Sequence, residues 1–136
     1  MAFLSKSDLL PYILVDELDE ITRGDDTLVL SAIMSAEAEA RMYLYDSFDV
    51  DQVFATSGSG RHQLLVNLVA DIAIYLLVSR VQAGQDVEDR KARYDRALKF
   101  LRAAAKTDEY ADLPRRETTV QKHIGFGSNP KRCNYY

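Results

Sequence analysis

Residues 64–78, Leu-Leu-Val-Asn-Leu-Val-Ala-Asp-Ile-Ala-Ile-Tyr-Leu-Leu-Val, decide the fold. Wound as a helix, this stretch is apolar on nearly every side, and such a helix is stable in water only when other helices or other subunits surround it. It falls short of the roughly 20 residues a membrane span needs and carries Asp71 at its middle, so it reads as a core helix and not as a membrane segment. The helix is expected from His62 to Gln82, ending before Gly84. A charged amphipathic stretch follows at once, on which Val87, Tyr94, Leu98, Leu101 and Ala105 keep the spacing of one buried face. Helices over 62–83 and 86–106 joined by so few residues fold back as an antiparallel hairpin.

Asn67, Asp71 and Tyr75 recur at every fourth position and form one polar stripe on the apolar rod. Three roles are open to it. Asp71 can bond a neighbouring helix or pair with a basic residue, as a buried carboxylate requires. The stripe can also be a subunit contact, or Asp71 a catalytic carboxylate, although no His, second acid or nucleophile stands near it in the sequence.

Outward from this core, Ser5 and Asp8 have the spacing of a capping box that starts a short helix disturbed near Pro11. Asp16 opens a second short helix, Glu17 to Arg23, with Gly24 at its C-terminal cap. Asp25, Asp26 or Thr27 caps a longer helix reaching about Leu44, with Leu30, Ile33, Met34 and the small Ala36, Ala38 and Ala40 on its packing faces. The alanines either admit a close neighbour or simply favour helix on a surface. Asp46 to Gly60 reads as a long loop. Its Ser57-Gly58-Ser59-Gly60-Arg61 run lacks the spacing of a phosphate-binding loop.

On the last long helix, Asp89 with Arg93 and Asp95 with Lys99 stand four apart, acid first, and Asp86 with Asp89 supplies its cap. The periodicity stops at Thr107. Residues 118–126 have strand-like composition, and Lys131-Arg132-Cys133-Asn134-Tyr135-Tyr136 closes the chain with cations and aromatics. The organisation expected is therefore a helical domain over 1–106 and an extended or partly disordered tail over 107–136. The fold class is all-α, a small helical bundle built on a long antiparallel hairpin. The tail either orders against a partner or stays idle.

The 136 residues carry a net charge of −4, unevenly: residues 1–85 hold 5 Lys/Arg against 13 Asp/Glu, and residues 86–136 hold 12 against 8. An acidic front and a basic back suit head-to-tail contact between copies, or are two solvated faces. Cys133 is the sole cysteine, which fits a reducing compartment, and no Cys/His cluster has zinc spacing. His62 and His123 read as surface residues. The N-terminus lacks the basic and apolar regions of a signal peptide, so secretion is not expected. No pair of residues has the spacing of acid–base or nucleophilic chemistry. Neither catalytic, cofactor-binding nor metal-binding residues are assigned, and the chain is not expected to be an enzyme.

The order Phe3-Leu-Ser-Lys-Ser-Asp8-Leu9, then Ala36-Glu-Ala-Glu-Ala-Arg-Met-Tyr-Leu44, then Asp71-Ile-Ala-Ile-Tyr75-Leu-Leu-Val-Ser-Arg80, then Asp86 through Leu101 resembles the small helical neck proteins of tailed bacteriophages. These include the Mu-like prophage type and act as head-tail connectors or head-completion adaptors. The resemblance covers roughly residues 3–106 and rests on helix patterns occurring in this order. It implies a ring of about a dozen copies beneath the portal, joining the DNA-filled head to the tail. It further implies portal and tail proteins as partners, DNA passing through the ring without specific recognition, no membrane, and a place in the virion after assembly in the bacterial cytoplasm. Asp71, Tyr75, Arg80, Tyr94 and Leu98 match the family pattern and are scaffold positions. Arg115, Arg116, Lys131, Arg132, Tyr135 and Tyr136 are the residues expected to engage an adjacent structural protein. A small nucleic-acid-binding regulator using the basic helix 86–106 is the alternative function.

Overall fold

A computed structural model describes residues 3–80, 85–106 and 113–116, except the side chains of 85 and 86. Six α-helices occur among them: α1 (Lys6–Leu9), α2 (Val15–Thr22), α3 (Asp26–Leu44), α4 (Val50–Ala55), α5 (Gln63–Val78) and α6 (Gln85–Lys106). No strand occurs among the described residues, where pairing is limited to one isolated bridge between Phe48 and Arg115. The fold is all-α.

The apolar rod of 64–78 becomes α5, and Leu65, Val66, Leu68, Val69, Ala70, Ile72, Ala73, Ile74, Leu77 and Val78 are buried on it. It packs chiefly against α6 and α3. Leu64, Leu65 and Leu68 near the start of α5 line a small cavity of about 40 Å³ with Phe100, Leu101 and Ala104 near the end of α6. Tyr75, late in α5, stacks on Tyr94, earlier in α6, with ring centroids 4.5 Å apart. Rising positions on one helix thus meet falling positions on the other, and the two run antiparallel. The residues that join them, 81–84, lie outside the described set.

The rod ends four residues before the expected Gln82. Ser79 donates its N–H to Tyr75 O and its hydroxyl to Leu76 O, and Arg80 N–H turns back to Leu77 O, a tightened last turn that satisfies free carbonyls. On α6, Ala97, Leu98 and Leu101 are buried while Val87, Tyr94, Phe100 and Ala104 are partly so. On its outer face Asp95 pairs with Lys91, at 3.6 Å, on the turn before it and not with the expected Lys99.

The capping box at Ser5 and Asp8 is present, with Ser5 N–H donating to Asp8 Oδ2 at 2.8 Å. Helix α2 starts two residues ahead of its expected position, with Leu14 rather than Asp16 at the N-cap. It closes through Arg23 (φ 55°) and Gly24 (φ 75°), both left-handed, and Gly24 N–H reaches back to Asp19 O.

Helix α3 has the expected span and is capped by Asp25, which accepts from Thr27 N–H. Its faces differ from expectation. Val29, Ile33, Ala36, Ala40 and Leu44 are buried, whereas Leu30, Met34 and Ala38 point outward. Ala36 and Ala40 are fully covered, so the small side chains let the neighbouring helices come close there, and Ala38 serves as a surface helix former.

The expected loop 46–60 is corrected by the structure. The stretch contains α4, capped by Asp49, whose Val50, Val53 and Phe54 are buried at the 3 and 4 spacing of one helix face. A 3₁₀ turn follows at Gly58–Gly60. The polar and glycine residues dominate the composition here and conceal an apolar face only one and a half turns long.

Candidate assembly surface

A set of interior contacts fixes the frame on which any contact surface is displayed. Arg61, which follows the glycine run, forms a bidentate pair with Asp8 at 2.9 and 3.1 Å and also donates to Phe3 O and Gly58 O, each at 2.9 Å. The guanidinium holds the Asp8 carboxyl below its usual range, with Ser5 helping. Arg61 thereby clasps the N-terminal segment to the turn before α5 and directs its donors into the protein. Phe3 beside it meets Phe54 edge-on at 4.9 Å, and Leu4 N–H donates to Glu37 Oε1 at 3.0 Å.

The polar stripe of α5 is divided among different partners. Tyr12 donates its hydroxyl to Asn67 Oδ1, which also receives Gln63 Nε2 at 3.2 Å. Asp71 is half-buried, and burial pushes its carboxyl above the usual range while the cations of Arg93, Arg96 and Arg90 pull it back. Tyr75 carries the stack on Tyr94, and Tyr94 donates to Glu39 Oε1 at 2.7 Å. That bond to an acidic neighbour, with burial, pushes the Tyr94 phenol up to about 12. Of the other scaffold positions, Leu98 is buried in the core and Arg80 is exposed just past the end of α5.

Several cations of α6 are engaged with the body. Arg90 donates to Tyr12 O at 2.9 Å, Arg96 lies over the Phe100 ring and Arg102 over the Tyr43 ring, both at 5.5 Å.

Residues 113–116 are tied to the helical body. Asp49 N–H donates to Pro114 O at 2.9 Å, Arg116 N–H donates to Ser47 O at 3.2 Å, and Leu113 packs against the core. Arg115 lies 5.1 Å over the Phe48 ring and Arg116 4.1 Å over the Tyr45 ring. Lys131, Arg132, Tyr135 and Tyr136 lie outside the described residues, as does the strand-like stretch 118–126.

Two apolar areas remain uncovered by the described residues. One is the corner between α1 and α2, with Leu10, Leu14 and Val15 exposed, Leu14 by 74%. The other is a stripe along α3: Leu30, Met34, Met42 and Tyr45 are 50, 69, 81 and 51% exposed. Two shallow depressions run end to end along it and share Ala38. The α3 stripe sits at regular helix positions, so helical spacing could have found it, yet that spacing cannot say which of two apolar faces turns inward; Leu10 and Leu14 of the corner flank the helices, where no period marks them. Among the described residues no group of three His, Cys, Asp or Glu is placed to hold a metal ion, and no helix is long and apolar enough to cross a membrane.

This geometry defines an all-α body, clasped internally by ion pairs and stacked rings, that displays apolar helix surface of the kind proteins use to bind one another. The chain belongs to the bacteriophage Mu Gp36 family, whose model matches residues 3–126, and is thus a Mu-like phage protein. Neither the curated proteins nor the solved structures contain a significant match to it.

Proposed function

We propose that this protein is a structural subunit of the neck of a phage or prophage virion, forming a ring that joins the portal of the DNA-filled head to the tail. Its membership of the Mu Gp36 family through residue 126 carries the reading, because it makes the chain a phage protein across the whole helical body. The uncovered corner of Leu10, Leu14 and Val15 supports it. A ring needs a heterologous contact that closes on itself. In this reading the corner, with Asp16, Glu17, Asp19 and Glu20 beside it, meets the basic outer face of the next copy's α6, where Lys91, Arg93 and Lys99 are exposed. The ring contains about a dozen copies, and DNA passes through it without sequence recognition. Residues Lys131, Arg132, Tyr135 and Tyr136 extend to the adjoining portal or tail protein. No catalytic step is assigned.

Electron microscopy of lysates from a phage lacking this gene tests the proposal. Filled heads and free tails that remain separate, and that join when the protein is added, are expected. Normally joined virions would overturn it. The regulator reading predicts instead that the purified protein binds duplex DNA tightly at low salt, with affinity falling steeply as salt rises.

A further inference from the structure

The exposed face of α3 is patterned symmetrically about one residue. Ala38 belongs to both shallow depressions on this face, one toward each end of the helix. Met34 and Met42 stand four positions to either side of it, Ser35 and Arg41 three, and Ser31 and Tyr45 seven. Turning the helix end for end about Ala38 therefore brings each methionine to the height of the other and sets Arg41 and Tyr45 level with the small Ser35 and Ser31. We propose that the free protein forms a two-fold dimer through this face, with the two α3 helices antiparallel and crossing at Ala38.

A two-fold contact must be self-complementary, residue i meeting j and j meeting i. In this register Met42 of one copy enters the other copy's first depression, against Ser31, Ser35 and Ala38, and its Met34 enters the second, against Ala38, Arg41 and Tyr45. Each methionine is thus a wall of one depression and the filling of another, a task that its unbranched, polarisable chain suits. The small residue at the crossing lets the axes approach to the near end of the usual 8–10 Å spacing of packed helices. The area is sufficient. Leu30, Met34, Met42 and Tyr45, each half exposed or more, present roughly 400–500 Å² per copy at about 150–200 Å² for a whole large side chain. With the serines and the stem of Arg41 the two copies bury about 1,000 Å², the low end for a specific contact. The cost in buried charge is small, because Arg41 already pairs with Asp51 and the other residues of the face are neutral. Ser31 and Ser35 have carbonyls of their own helix, a turn earlier, as acceptors for their hydroxyls. The contact uses neither the α1–α2 corner nor the outer face of α6.

Sedimentation equilibrium of the full chain, with Cys133→Ser to exclude disulfide dimers, tests this. The mass should approach that of two chains at about 100 μM and fall toward one below about 1 μM, as suits a contact at the low end of size. Met34→Lys and Met42→Glu change well-exposed side chains, so each variant should keep its melting transition yet be monomeric at both concentrations. Mixed in equal amounts they should dimerise again, since the register sets the new cation of one chain beside the new carboxylate of the other. A dimer that survives either single substitution, or a mixture that stays monomeric, overturns the proposal. So does a parent chain that is monomeric throughout. In that event maleimide labelling of Met42→Cys identifies the occupant: a protected thiol means that the chain covers its own stripe, and a freely labelled one that the stripe is open to a different protein. These measurements use the isolated protein, so their outcome is independent of the neck reading.

Discussion

Replacing Arg61 by alanine removes four hydrogen bonds at once: two to the Asp8 carboxylate and one each to the carbonyls of Phe3 and Gly58. The size of the loss depends on how dry the pair is. Exposed ion pairs contribute about 0–1 kcal/mol, whereas breaking a buried pair from one side costs about 3–5 kcal/mol. With side chains 18 and 21% exposed, Arg61 and Asp8 are mostly shielded. A loss of about 3 kcal/mol is expected, which for a chain of this size lowers the thermal midpoint by about 10 °C. Arg61→Lys keeps the charge but not the fork, and should recover only about a third of the loss. Circular dichroism melts of both variants, of Asp8→Asn and of the double variant measure the coupling directly.

The pH dependence supplies a second reading of the same clasp. Asp8 titrates below its ordinary value in the folded protein because of Arg61, so its contribution is present above the ordinary aspartate value and drains away as the pH falls through the lowered one. The gap between wild type and Arg61→Ala should therefore narrow in acid. A gap below about 2 °C at neutral pH, or one that widens on acidification, refutes the assignment of Arg61 as the clasp of the N-terminal segment.

Tyr94→Phe keeps the stack on Tyr75 but loses the bond to Glu39, at an expected cost of about 1–2 kcal/mol in urea unfolding. In the wild type, the stability from this phenol is fully present below its unfolded value of 10.0 and is lost as the pH rises through about 12, so a late-titrating tyrosinate absorbance should vanish in the variant. Asp71→Asn should raise the melting temperature at neutral pH, since burial holds the Asp71 carboxyl above its usual range; the difference should shrink as the pH falls and the wild-type carboxyl takes up its proton. Ala36→Leu should cost about 1–3 kcal/mol through overpacking where Ala36 is fully buried, while Ala92→Leu on the exposed face of α6 should stay within about 0.5 kcal/mol.

The rod at 64–78 is legible from sequence because its physics is local: a helix apolar on all sides has one soluble solution, burial by neighbours. The longer helices announce themselves through period and caps, as Asp25 does for α3. Faces are harder. On α3 the row Leu30, Met34, Met42 is as helical in spacing as the row Val29, Ile33, Ala36, Ala40, and the second is buried since its small members allow close packing. Helix α4 escapes a sequence reading because six residues carry too little period to outweigh the glycine and serine beside them. The contacts that build the frame join distant positions: Arg61 with Asp8, Tyr12 with Asn67, Tyr94 with Glu39, Phe48 with Arg115. Nothing in local spacing encodes such pairs.

The fate of the cations follows from the same distinction. Composition marks the back half as basic and offers its arginines for DNA or for partners. Arg90, Arg96 and Arg102 lie against a carbonyl or rings of the protein's own body, and Arg115 and Arg116 lie over Phe48 and Tyr45. A guanidinium laid on a ring keeps its charge and some of its hydration, so these contacts do not silence the residues. They do fix where each charge sits. Arg115 and Arg116 on Phe48 and Tyr45 hold 113–116 against the helical body. Tyr45, under Arg116, is also one end of the uncovered apolar stripe on α3. Arg116→Ala removes a contact with a half-exposed ring and should accordingly lower the melting midpoint by no more than about 3 °C in a circular dichroism melt. A loss well beyond that would mean that Arg116 holds 113–116 to the body by more than its contact with the Tyr45 ring.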